Sequence, residues 1–397
     1  MWCSSEKNTE IVQWILLTTT AIVAFAGAAF ADGHTGVSFG GNATLGYNDN
    51  ADFGEDGFYY DLNMNVALTS ALDNGVTAAA KFNIEIDDEG AQGDQLTGNN
   101  DYVLASSSYV LSLTTENAGL YFGDVAFAAE TQWSGAGDME ADAFSEADGE
   151  VAIRGDVTMG GVSASVSYVI SDSNGIVLAD SSDETVDQLS VGASGDLGMF
   201  SFAVAYQAEA ANDIGAFGGN DDFTSASVLG VSAGTSLAGA DITVAYAQWT
   251  EAEYDGDEVL TSIGVQVAVP VGPVTATVYY VSEDAELAGD VDDNYGLTIA
   301  YAEGPLTAKF DYDNDQGTDK WNLDGSFDAG NGLTVLAGMQ NENEGDEADY
   351  YVGGTYDLGG GAELLAVYAN DDDGDQADEI GAGEYMPGTT VEVSFSF

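Results

Sequence analysis

Apolar and polar residues alternate one by one along most of this chain. At its end the odd positions Val391, Val393, Phe395 and Phe397 are apolar, while Glu392, Ser394 and Ser396 between them are polar. A period of two describes a β-strand with one greasy face and one wet face. In Val162–Ser171, one face collects Val162, Ala164, Val166, Tyr168 and Ile170. The other collects Ser163, Ser165, Ser167 and Ser171, with Val169 the one exception. In Tyr60–Ser70, Tyr60, Leu62, Met64, Val66 and Leu68 oppose Asp61, Asn63, Asn65 and Thr69. No stretch has helical apolar spacing long enough to make a second domain.

Turn chemistry divides the strands. Tight connections are expected at Asp73–Gly75, Glu116–Gly119, Met159–Gly161, Gly195–Gly198, Thr235–Gly239, Val271–Pro273, Glu303–Pro305, Ala329–Gly332 and Asp357–Gly361. Gly and Asn there supply the positive φ angles of short hairpin turns. Between them lie longer acidic connections such as Asp87–Asn100, Asp172–Glu184 and Asn370–Gly388. Short turns at one end and long loops at the other, joining many alternating strands, predict an all-β, transmembrane, antiparallel up-and-down barrel. The hairpin tally comes to about twenty strands, and the expectation is an even number from sixteen to twenty. A soluble β-sandwich would alternate too, but with fewer than about ten strands. A calcium-binding β-roll would need its Gly-Gly-x-Gly-x-Asp repeat, which this chain lacks.

Composition sharpens this reading. The 397 residues carry 69 Asp+Glu against five Lys+Arg, a net charge of -64. Such a charge alone would suggest disorder, yet 45% of the residues are hydrophobic and 11% aromatic. A nucleic-acid partner is excluded, since binding it needs a basic surface. An acidic wall attracts small cations instead.

The N-terminus predicts export. Ile15 to Phe30 is an apolar run, and Ala29-Phe30-Ala31 is an A-x-A cleavage site ahead of Asp32. Residues 1–31 are therefore expected to be a cleaved signal peptide, and 32–397 the barrel. The segment before the apolar run holds Lys7 with Glu6 and Glu10, where a signal wants net positive charge. The natural start is accordingly expected downstream of Met1. Removing the signal leaves 67 acids and four bases, and no cysteine, because Cys3 is the only one.

The four remaining bases all fall in the polar phase of their strands. Lys81 shares its face with Asn83, Glu85 and Asp87; Arg154 is out of phase with Val151 and Val157. Lys309 goes with Thr307, Asp311 and Asp313; Lys320 goes with Asn322, Asp324 and Ser326. All four are expected to line the pore, because Lys or Arg facing lipid at mid-membrane costs roughly 2–4 kcal/mol.

The longest irregular stretch within the strand pattern is Asp124–Glu150, after the fifth expected strand. It carries Asp124, Glu130, Asp138, Glu140, Asp142, Glu146, Asp148 and Glu150, and Gly135 and Gly137 allow it to bend sharply. A loop this long in a compact fold is usually functional. The run Gly119-Leu-Tyr-Phe-Gly-Asp124, this acidic loop, and Val151-Ala-Ile-Arg-Gly-Asp156 together resemble the strand, third loop and strand of general porins from Rhodobacter-group alphaproteobacteria. The start Gly36–Tyr47 and the final Phe397 are similar to that family as well. A strand ending in Phe resembles the terminus that the outer-membrane barrel assembly machinery reads.

That resemblance implies an inward-folded third loop that narrows the pore, with its acids facing Arg154 and Lys81, and a homotrimer. The family's cluster of wall arginines is nearly gone here, so a mainly negative ring is expected instead.

Catalytic chemistry is missing. The only His is His34, three residues from the expected mature N-terminus, which leaves no base for a Ser/His or metal-His site. Trp249 and Tyr59 are too sparse for an aromatic sugar track. Asp311, Asp313 and Asp315 alternate like part of a calcium loop, but Gly317 comes one place too late for an EF-hand. No cofactor is expected beyond loosely bound Ca²⁺ bridging acidic loops to lipopolysaccharide. The expected function is a diffusion channel in the outer membrane of a Gram-negative bacterium, passing small hydrophilic solutes and favouring cations. The alternative is a plugged, non-conducting barrel with a structural or adhesive role.

Overall fold

The computed structural model describes residues 35–49, 57–87, 108–144, 151–171, 188–208, 226–253, 256–286, 291–342, 348–371 and 380–397. The proposed signal peptide, and the acids Glu146, Asp148 and Glu150, lie outside them. The first ten strands are β1 (Thr35–Asn48), β2 (Phe58–Ala71), β3 (Thr77–Asp87), β4 (Tyr109–Thr114), β5 (Ala118–Gly123), β6 (Val151–Met159), β7 (Val162–Ser171), β8 (Leu189–Leu197), β9 (Phe200–Ala208) and β10 (Ala226–Leu237). The second ten are β11 (Ala240–Glu253), β12 (Gly256–Val271), β13 (Val274–Glu286), β14 (Asn294–Glu303), β15 (Leu306–Asp315), β16 (Thr318–Gly330), β17 (Leu333–Asn341), β18 (Asp349–Gly359), β19 (Ala362–Asn370) and β20 (Gly388–Ser396).

Each strand pairs antiparallel with its neighbours in chain order, and β20 returns to pair with β1. The sheet is thus a closed barrel of twenty strands, the upper end of the expected range. Closure leaves no open edge. The terminal residue takes part in it: Phe397 N–H donates to the Gly41 carbonyl (2.9 Å) and Gly41 N–H to that of Phe397 (3.3 Å).

All nine expected tight turns lie at one end, the end at which the first strand begins and the last one finishes. Gly160 and Gly161 show why they form: both have positive φ, +63° and +86°, as a two-residue primed hairpin turn demands. The other end carries the long connections, with exceptions. Residues 316 and 317 make a two-residue turn between β15 and β16, so Asp311–Gly317 is a strand end and hairpin, not an open loop.

The two faces separate as the alternation predicts. Val166, Tyr168, Ile263, Val352 and Phe395 are all exposed, as are large apolar residues on strand after strand around the barrel. So much contiguous apolar surface far exceeds the few hundred Å² a soluble monomer shows, and it fits a lipid contact. Cross-strand partners share a face, so rows can be followed around the wall. One runs Lys309, Asp324, Gly338, Tyr351, Ala369 across β15 to β19. Among the described residues no helix is long and apolar enough to cross a membrane; the crossing is made by strands.

Candidate functional site

The third long connection leaves β5 and folds onto the polar, inner face of the wall. Gly123, at φ +124°, lets the chain turn in beside Tyr109, whose carbonyl accepts Asp124 N–H (2.9 Å). Val125 and Phe127 then bury themselves against Ala152 and Val169, with Val110 and Tyr121 alongside. This is why Val169 breaks the polar phase of its strand: it packs under the root of the loop. Arg154 holds the same root. Its Nη1 donates to the Ala126 carbonyl (2.6 Å), its Nε lies 3.1 Å from Asp156, and its guanidinium sits 5.0 Å from the Tyr121 ring centre.

Two short helical turns follow: α1 (Ala128–Gln132) and a 3₁₀ turn at Glu140–Asp142. A helix start leaves backbone N–H groups without partners. Neither turn has a side-chain cap of its own, since Phe127 and Met139 stand at the cap positions. The barrel wall supplies the caps. Ala128 N–H donates to Ser167 Oγ (2.9 Å) and Ala129 N–H to Ser190 Oγ (2.7 Å). At the second turn, Glu140 N–H donates to Glu283 Oε1 (3.1 Å) and Ala141 N–H to Ser262 Oγ (2.9 Å), while Ser262 Oγ donates to Glu283 Oε2 (2.6 Å).

The floor beneath the loop is built of small residues. One cross-strand row reads Ser165, Gly192, Ala205, Gly230, Ala247, Ser262 from β7 to β12. The next reads Ser163, Ser194, Ala203, Ser232, Ala245, Gly264. A Cβ on Gly192 would collide with Gln132, one on Gly230 with the Trp133 ring, and one on Gly264 with Ala136. Gln132 spans the floor, donating to Ser165 Oγ (3.0 Å) and accepting from Ser194 Oγ (2.7 Å). Trp133 packs with Phe144, and Trp249 of the wall packs on the same cluster of Ala129, Phe144, Ala205 and Val228. Trp249 is therefore a buttress for the loop.

The loop acids are placed as follows. Asp124 is exposed at the root and Glu130 is half-buried on α1. Asp142 Oδ2 accepts Trp133 Nε1–H (2.9 Å). Asn294 Nδ2 donates to Glu140 Oε1 and to the Asp138 carbonyl, both at 3.1 Å. Asp138, Glu140 and Asp315 of the wall bring carboxylate oxygens within 4.8 Å of one another. Oxygen ligands of this type suit a hard cation, which would compete there with Asn294 and with the Lys320 ammonium, 3.1 Å from Asp315.

The bases are largely matched by wall acids. Beside the Lys320 and Arg154 pairs, Lys309 lies 2.9 Å from Asp311. Lys81 is exposed on the inner face and makes no ion pair among the described residues. The arrangement holds a chain of carboxylates along the inner face of the barrel. Reading the strands one at a time missed Ser167, Ser190, Ser262, Glu283 and Asn294, which seat the loop. Their signal is the run of Gly, Ala and Ser at inward positions of consecutive strands.

The sequence profile of the Gram-negative porin family matches residues 18–376. No curated protein matches the chain. Among solved structures, a triple mutant of the Rhodopseudomonas blastica porin is similar, at 18% identity and a TM-score of 0.42 over 91% of this chain and 100% of its own. Another mutant of the Rh. blastica porin is similar at 15% identity and a TM-score of 0.40, with the same coverage.

Proposed function

The chain belongs to the Gram-negative porin family, and from that premise we propose that it forms a cation-preferring diffusion channel for small hydrophilic solutes. Family and fold indicate an outer-membrane channel rather than an enzyme. The mechanism asks for no chemistry: a wide barrel leaves room for water, an inserted loop narrows it, and wall charge biases which ions enter.

The observation that carries the preference for cations is the fate of the bases. Arg154, Lys309 and Lys320 each lie about 3 Å from a carboxylate, so their charge is largely cancelled locally. The loop acids Asp138, Glu140 and Asp142 add to a wall already rich in Asp and Glu. The net field inside is then negative, and cations concentrate where the loop narrows the passage.

The same reading includes export through the cleaved 1–31 segment and insertion by the barrel assembly machinery, which engages β20 and its terminal Phe397. It also includes a homotrimer in the membrane and divalent cations bridging the acidic loops to lipopolysaccharide. The test is a planar-bilayer recording in a KCl gradient at about 0.1 M salt, where the Debye length is still about 10 Å. The reversal potential should show K⁺ preferred over Cl⁻, and the preference should weaken at 1 M. Anion preference at low salt would overturn the selectivity, and a purified barrel that never conducts would favour the plugged alternative.

A further inference from the structure

The inner wall has a second anomaly, away from the Asp124–Phe144 loop, the first of two insertions. On β17 to β19, Leu336, Leu365, Val367 and Ala369 take inward positions, where the alternation puts polar residues. Bare apolar side chains would be costly against water, and these are covered. Tyr351, Val367, Ala369 and Ile380 form one buried cluster, with Leu336, Leu365 and Tyr385 packed on it. The cover comes from the connection between β19 and β20. Ile380 and Tyr385 exchange backbone hydrogen bonds at 3.1 and 3.0 Å and close a tight hairpin.

Three wall strands grip that hairpin. Gly381 N–H donates to Gln340 Oε1 (2.7 Å), and Ala382 N–H to Asp324 Oδ1 (3.3 Å). The same Asp324 oxygen accepts the Tyr351 hydroxyl (2.6 Å). The Tyr385 ring lies 4.8 Å from that of Tyr351. Gly381 has φ +73°, and a Cβ there would collide with the Tyr351 ring, so the approach is as close as the backbone permits.

We propose that Ile380–Tyr385 is a second constriction element, which sets the size and charge of the passage together with the first loop. The first loop is rooted on β4 to β6 and lies along β7 to β14, and the hairpin stands on β16 to β19, so solutes pass between two insertions and the remaining wall of β20 and β1 to β3. The hairpin brings an exposed carboxylate, Glu384, to its tip. Its seat is apolar, whereas the wall beneath α1 of the first loop is small and hydroxylated. A segment seated by buried Ile, Val and Tyr is held as a fixed wall rather than a solvated strap.

This inference rests on the channel reading, and the experiment separates the two. The full chain is compared in planar bilayers with a variant lacking Gly381–Glu384 and with Gly381→Val, which unseats the hairpin without shortening it. Both should assemble as heat-modifiable barrels and show a single-channel conductance above that of the parent. Both should also admit larger neutral sugars. In parallel, Asp324→Cys with Ala382→Cys should form a disulfide on oxidation. A conducting parent with unchanged conductance and size cutoff in both variants overturns the second constriction and leaves the channel reading intact. Failure of the cysteine pair to cross-link overturns the seat itself. A silent parent whose hairpin-deleted form conducts makes the segment a plug and overturns constriction. Silence of every form overturns the channel reading together with this one.

Discussion

The wall serines that cap the loop make its seating a measurable equilibrium. Consider Ser167→Ala, Ser190→Ala and Ser262→Ala combined. Each substitution removes one Oγ and leaves the strand backbone intact, while the N–H of Ala128, Ala129 or Ala141 loses its acceptor at 2.7–2.9 Å. All three serines are buried, Ser167, Ser190 and Ser262 each at 0% exposure, so water does not simply replace the hydroxyl. Loss of a helix cap costs about 0.5–2 kcal/mol, and an orphaned buried donor about 1–3 kcal/mol. The three act on one docking equilibrium, so roughly 3 kcal/mol or more is removed from it. Since 1.4 kcal/mol is a factor of ten, the undocked population should rise by at least about a hundredfold.

The readouts are current noise and protease access. The triple variant should show conductance substates that the parent lacks, and external protease should cut within residues 124–144 while the barrel stays resistant. Ser326→Ala is the control, because its hydroxyl pairs with Thr307 (2.6 Å) toward the tight-turn end of β15 and β16. A triple variant as quiet and as protease-resistant as the control would refute the claim that wall hydroxyls hold the loop.

Two further predictions follow from facing and charge. Lys81→Cys and Lys309→Cys should react with membrane-impermeant thiol reagents, whereas Phe82→Cys and Phe310→Cys should be shielded by lipid or a neighbouring subunit; the opposite pattern would put the register off by one residue. Cation preference should fall on acidification, because carboxylates take up protons and lose their charge while Lys and Arg keep theirs. A reversal potential that does not move between pH 7 and pH 3 would show that carboxylates do not set the selectivity.

Much of this fold is legible strand by strand. Alternation depends only on which side of a pleat a residue occupies, so the lipid and water faces of β2 and β7 can be assigned from sequence. Eight of the nine tight turns are equally local, because each places a Gly at positive φ; Glu116–Gly119 turns without one. The long acidic insertion after β5 also announces itself. Other features depend on neighbours in space. Asp311, Asp313 and Asp315 alternate like part of a calcium loop, but the strands on either side pair right up to Gln316-Gly317. Arg154 reads, through the family likeness, as facing the loop's acids, yet its guanidinium is spent on the Ala126 carbonyl and on Asp156.

The seat of the loop was the hardest part to see, for a reason that belongs to packing rather than to pattern. Within one strand, Ser165 and Ser167, or Gly230 and Ser232, are merely small and polar, as any water-lined wall allows. Their meaning appears only when strands are laid in register and small residues fall beside small residues across β7 to β12. A loop backbone within hydrogen-bonding distance of the wall leaves no depth for a larger side chain, so Gly, Ala and Ser are required there. Around β15 to β19 the same inner face carries Asp313, Lys320, Asp324 and Tyr351, and there the covering segment reaches only over an apolar patch. Where the wall is small a loop can lie flat along it; where it is apolar a hairpin can be pinned to it; where it is long and charged, water keeps the space. Side-chain size on one face, followed around the barrel, thus maps the open passage that charge alone could not locate.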